Sequence, residues 1–266
     1  MHRTWSFTDL EFLVLWEESG EEFLPRPLTF MSRTEWWDDH LANKARARDD
    51  LRDRDPELAS VLHALCAPDV RVEVHGWDGH DRLDAAGSIR LLAVRFGDLG
   101  YLVTQLPGET VRHSAGFTVT EFEASKLASE VVAALPDTES GRGRDIVLAE
   151  EEHIDEIDFG YGMSPAHETL EGTVVTRASD FLAAPAENLG RIDVVQGHSR
   201  FGPRGITRHV IEWRDLVQDG RYVVTGEHPP VAAPADRRRM TATLDTRISA
   251  VILALEDEWA EGQVSQ

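Results

Sequence analysis

The sequence predicts an α+β protein in which two pseudo-two-fold-related subdomains share a central antiparallel sheet flanked by helices. Three observations carry this expectation. First, Gly76 and the runs 100–104, with Tyr101, and 131–135, with Leu135, are echoed about 120 residues later by Gly197 and the runs 221–225, with Tyr222, and 251–255, with Leu255, so a strand-strand-helix pattern occurs twice. Second, apolar residues alternate over short runs in each copy before passing to helical spacing. Third, Gly97-Asp98 and Asp219-Gly220 stand where tight turns would join neighbouring strands.

The elements follow in order. Ser6 followed by Asp9 reads as the start of a helix carrying Leu10, Leu13 and Val14 and stopping at Gly20. Pro25 and Pro27 then hold the chain extended. Ser32 with Glu35 opens a second helix through Trp36 and Trp37 into the charge-dense stretch 44–55, and Asp55-Pro56 opens a third with Leu58, Leu62 and Leu65 on one face. Beyond Pro68, alternation at Val70, Val72 and Val74 predicts a strand, and residues 88–96 and 99–105 a hairpin. Between them the Gly- and Asp-rich stretch 75–84 reads as a long, mobile loop. Thr120 with Glu123 predicts a helix bearing Phe122, Leu127, Val131 and Leu135 and ended by Pro136.

Residues 1–136 thus form the expected N-terminal subdomain, with one three-stranded unit. Residues 137–165 are acidic and Gly-rich, with Gly141, Arg142, Gly143 and Arg144 read as a flexible connector and the acids at 150–152 as part of a solubilising linker. The C-terminal subdomain, 166–266, repeats the plan: a short helix near 179–188, strands near 191–198, 205–213 and 221–225, and a long last helix. In that helix Met240, Leu244, Ile248, Val251, Leu255 and Trp259 make one stripe, expected to bury on the sheet of its own half, a partner or a dimer interface being the alternative. The two triplets joined edge to edge would remove two exposed edges.

Composition bounds the partners. With 48 acidic against 27 basic residues in 266, the formal charge is −21, which repels phosphate backbones and anionic lipid, so nucleic acid is not an expected partner. No signal-peptide pattern opens the chain and no stretch reaches membrane-span length, so no membrane insertion and a cytoplasmic location are expected. The single cysteine, Cys66, lies in an apolar run and reads as a buried, inert thiol. Whether free chains form a homodimer is left open.

The residues also carry a family pattern. The run 11–17, followed by Leu24, Pro25, Arg26, Pro27 and Leu28, resembles the opening of the EspG family, ESX (type VII) secretion-associated proteins of actinobacteria. Arg200-Phe201-Gly202, Arg208, Trp213-Arg214-Asp215, Gly220-Arg221-Tyr222 and Pro234-Ala235-Asp236 are similar to that family's C-terminal signature. The resemblance spans essentially the whole chain. It implies a cytosolic chaperone that binds the helical tip of a PE/PPE-like secretion substrate and keeps it soluble and export-competent. It also implies a quasi-two-fold pair of subdomains sharing an antiparallel sheet, in agreement with the repeat. The family's contact residues form no fixed motif, so none is carried over.

No catalytic constellation emerges and no cofactor is expected. His75 and His80, with Asp78, Asp81 and Asp84, could supply metal ligands for a small-molecule hydrolase, but their spacing matches no established pattern. His198 and His209 could face each other across a hairpin, and are read as surface or partner-contact residues. There is no Gly-x-Ser-x-Gly elbow, and the glycines at 141 and 143 lack the strand, lysine and helix of a phosphate loop. The basic run 237–239 reads as a solvated face, or a patch pairing with a partner's acids. An acidic immunity or antitoxin-like binder of a basic partner is a further alternative consistent with the charge. For a protein partner, the expected contacts lie on the second-half sheet, at Val195, Gly197, Ser199, Phe201, His209 and Ile211, where small and mixed residues leave room for approach.

Overall fold

The structure, a computed structural model, describes residues 3–52, 54–148, 165–226 and 228–264. Its chain order is β1 (Thr4–Phe7), α1 (Asp9–Glu17), α2 (Trp37–Arg52), α3 (Leu58–Cys66), β2 (Val70–Asp78), β3 (Ile89–Phe96), β4 (Leu99–Pro107), β5 (Ser114–Glu123), α4 (Leu127–Ala133), β6 (Ile146–Val147), α5 (Pro165–Ala183), β7 (Ala186–Gln196), β8 (Arg208–Leu216), β9 (Gly220–Thr225), β10 (Val231–Pro234) and α6 (Arg237–Val264). The strands form one sheet in the order β1-β5-β4-β3-β2-β7-β8-β9-β10-β6, with antiparallel pairing along the ladder.

That order carries the repeat. Outward from the β2–β7 seam, each half is a four-stranded meander closed by a short strand that precedes it in sequence, β1 on one edge and β6 on the other. Each half also runs edge strand, helix, meander, helix along the chain. The expected shared antiparallel sheet flanked by helices is present, with more strands than the two triplets read from sequence.

The seam pairs Val70 with Gln196 through Asp78 with Asn188. On one face, β2, β3, β7 and β8 contribute Val72, Val74, Leu91, Ile192, Val194, Ile211 and Trp213 to a core covered by α4 and α6. On the opposite face, Leu92, Val94, Tyr101, Val103, Phe117 and Val119 pack with α1 to α3, while Leu216, Tyr222 and Ala232 pack with Phe181 of α5. Because successive side chains alternate between faces, one strand can serve both cores.

Several local readings are corrected by pairing. Residues 4–7 form a strand against β5, and helix α1 starts at a capping box made by Thr8 and Glu11 rather than by Ser6 and Asp9. Thr120 and Glu123 belong to β5, which pairs with β4 along most of its length, and this ladder outweighs a local cap signal. Residues 75–78, read as loop, continue β2. The 141–144 stretch is pinned, with Arg142 N–H donating to Asp219 at 2.7 Å and Gly143 N–H to the Tyr222 hydroxyl at 2.9 Å. Cys66, expected to be buried, is exposed at the end of α3. The α6 stripe is buried from Met240 to Leu255, but Trp259 is 65% exposed. Residues 150–152 lie outside the described residues.

Candidate functional site

Between the helices covering the outer strands, the polar face of the seam is open among the described residues. Arg191, Arg208 and Glu212 keep 45%, 49% and 56% of their side-chain surface in solvent. The register explains the composition of this strip. Arg90 of β3 lies opposite His75 of β2, His75 opposite Arg191 of β7, and Arg191 opposite Glu212 of β8, so one row crosses four strands. In a parallel row Glu73 faces Asp193.

Charges in the strip are interlocked. Arg191 forks onto Asp193 at 2.8 and 2.9 Å. Arg208 reaches Asp193 at 3.4 Å and Glu73 at 3.9 Å, and Arg71 meets Glu73 at 2.7 Å. Burial pushes the Glu73 carboxyl up, against the pull of Arg71 and Arg208. The His75 ring stands edge-on to Trp77, 5.4 Å between centroids, and Arg82 lies 4.7 Å from the Trp77 centroid. Partial burial of the ring, then the charges of Arg90 and Arg82, hold the His75 imidazole below its ordinary value, so it is mostly neutral at pH 7.

The segment with Pro25 and Pro27, expected to be extended, instead turns at residues 25–28, with Leu28 N–H donating to the Pro25 carbonyl at 2.9 Å, and it walls one side of this strip. Arg26, Pro27, Leu28 and Thr29 close a cleft of about 510 Å³ whose floor includes Glu73, His75, Trp77, Arg90, Arg191, Asp193 and Arg208. Arg90 fixes that wall by donating to the Pro27 carbonyl at 2.7 Å, and its other arm donates to the Val111 carbonyl at 3.1 Å.

The six contact residues expected from sequence do not share one surface. Val194 pairs with His209 and Val195 with Arg208, so Val195 and the pair His209 and Ile211 face opposite sides of the sheet. Val195 and Ile211 are buried at 3% and 1%, Ile211 in the core under α6, and neither offers a free contact surface. His209 lies on the same side, where burial and the Arg247 charge lower its pKa. Gly197 lies beyond β7, so close to Pro68 that a Cβ would meet its carbonyl oxygen at 1.7 Å. Ser199 is taken up in a clasp: its hydroxyl donates to Glu258 of α6 at 2.9 Å, as do Gln196 at 2.8 Å and the Arg200 amide at 3.0 Å. Phe201, on the loop this clasp holds, is 59% exposed.

The metal reading finds no support in geometry. Asp78 accepts from the backbone amides of His80 and Asp81, both at 2.8 Å, and Asp81 and Asp84 make similar turns with Leu83 and Ala86. These acids build the loop while His75 turns into the cleft. Among the described residues, no three His, Cys, Asp or Glu side chains converge on a common point. His198 lies past the end of β7 and does not pair with His209. No described helix is long and apolar enough to cross a membrane.

The signal for the strip was present in β2 itself. Arg71, Glu73 and His75 alternate with Val70, Val72 and Val74, and a central strand with a polar side is one that no helix covers on that side. Arg90 was missed because β3 reads as a nearly continuous apolar run after it.

A model of the EspG family matches residues 8–246. The chain is similar to the solved structure of the Mycobacterium tuberculosis type VII secretion system chaperone EspG5 in complex with the PE25-PPE41 dimer. The TM-score is 0.53 at 12% identity, covering 93% of this chain and 96% of that one. At that identity the likeness establishes a shared fold. No curated protein matches the chain.

Proposed function

This chain belongs to the EspG family, and on that premise we propose that it is a cytoplasmic, non-enzymatic chaperone of type VII secretion. It binds the helical tip of a PE/PPE-like substrate and keeps that substrate soluble and export-competent. The observation that carries the reading is the open polar face of β2, β7 and β8. It lies at the centre of a ten-stranded sheet, bounded on one side by the 26–29 wall. The shared fold with a chaperone solved in complex with a PE25-PPE41 dimer supports the class of partner.

A helix lying along such a strip meets side chains already held by one another, so little conformational entropy is lost on docking. Of the contacts expected from sequence, Phe201 is retained, as an exposed aromatic on a clasped loop. The test is co-expression with a PE/PPE-type pair from the same organism, followed by size-exclusion chromatography. The expected result is a single complex containing the chain and the pair. Separate elution from every such pair would remove the proposal.

A further inference from the structure

The cleft has an imbalance the ion pairs do not remove. Four arginines, Arg26, Arg90, Arg191 and Arg208, surround two carboxylates, Glu73 and Asp193, in a chain whose overall charge is −21. Arg191 and Arg208 are engaged with those carboxylates. Arg90 differs. Its guanidinium carries five N–H donors, and its two hydrogen bonds both go to neutral backbone carbonyls, of Pro27 and Val111. The Nε of Arg90 is buried without a partner and closed to a ligand, so the donors left to spend are one N–H on each terminal nitrogen. Desolvation with no compensating carboxylate holds its pKa below the ordinary arginine value. The neighbour across the ladder is His75, mostly neutral at pH 7.

We infer that the Arg90 end of the cleft receives a carboxylate presented by the helical tip of the docked partner, an inference that rests on the chaperone reading above. A planar guanidinium with unspent donors matches a carboxylate in geometry and charge. The cleft lies on the strip proposed to hold that tip, so an acidic side chain on the partner completes it. Glu73 and Asp193 at the same floor, and the acidity of the whole chain, oppose a polyanion such as nucleic acid and favour a single acidic group. Arg90 is then a specificity residue: a partner lacking the acid leaves a partly buried cation unpaired.

The test uses a purified PE/PPE-type pair titrated calorimetrically into the full chain at several salt concentrations. Wild type, Arg90→Gln and Arg90→Lys are compared, with thermal melts to confirm folding. Arg90→Gln weakens binding at least about tenfold and flattens its salt dependence, because a charge pair is lost. Arg90→Lys, keeping the charge without the fork, weakens it less. Should Arg90→Gln not fold, His75→Glu changes an exposed position facing Arg90. It supplies a competing carboxylate and weakens binding by a comparable factor. Binding within about twofold of wild type, with unchanged salt dependence, overturns the inference for whichever of these variants is folded, and leaves the chaperone reading standing. Absence of any wild-type complex overturns that reading and the inference with it.

Discussion

Asp215→Ala lowers stability by about 3–5 kcal/mol, read as a fall in denaturant midpoint with little change in slope. The carboxylate of Asp215 and the guanidinium of Arg221 are 1% and 2% exposed and face each other across β8 and β9. Arg221 forks onto Asp215 at 2.7 and 2.8 Å. The same guanidinium donates to the Pro136 carbonyl at 2.9 Å, where the chain leaves the first half, and Thr138 donates to Asp215 at 3.2 Å. The pair therefore anchors the connection to the second half of the sheet. Removing the acid alone leaves a charge buried without compensation, which costs more than the pair itself contributes. Arg221→Met in the Asp215→Ala background recovers a substantial part of the loss. No recovery would mean that the pair's value lies in packing rather than charge.

Gly190→Ala destabilises by about 1–3 kcal/mol, although alanine is ordinarily the better strand residue. Gly76 and Gly190 are paired across the seam, and Trp213 pairs with Gly190 from the other side. The indole lies over both glycines: a Cβ on Gly190 would come within 2.0 Å of the Trp213 ring, and one on Gly76 within 3.0 Å. Trp213 is 1% exposed and packed in the core under α6, so it has no room to yield. In a Trp213→Leu background the penalty of Gly190→Ala shrinks, a coupling measurable by a double-mutant cycle. An equal penalty in both backgrounds would place the cost elsewhere than the ring.

These two features show what the sequence made legible and what it hid. The doubled pattern disclosed a repeated architecture, and the spacing from Met240 to Leu255 disclosed the helix that covers the seam, because both signals recur at the period of the structure they build. Short strands such as β6 and β10 carry too few residues to show alternation, and their existence depends on neighbours supplied by distant sequence. The equivalence of Gly76 with Gly197 failed for the same reason. Gly76 lies in the ladder opposite Gly190, whereas Gly197 lies beyond it against Pro68, and only the pairing register distinguishes them. Register also dispersed the six expected contact residues. A shift of one position exchanges the faces of a strand, so Val195 and Ile211 point to opposite sides while both stay buried. The open strip was legible in β2, through Arg71, Glu73 and His75, once that strand is known to be central. Arg26 and Arg90 join it only through the fold, one from a proline-held wall and one from an otherwise apolar strand.

On the reading proposed above, the partner docks on the open face of the seam. Site-specific photo-crosslinking tests it most directly, with a photoreactive residue placed at His75 on that face or at Leu253, which is 59% exposed on α6 across the sheet. In the presence of a PE/PPE-type pair, position 75 is expected to capture a partner subunit and position 253 to capture none. Capture from position 253, with none from position 75, would place the partner on the α6 face instead.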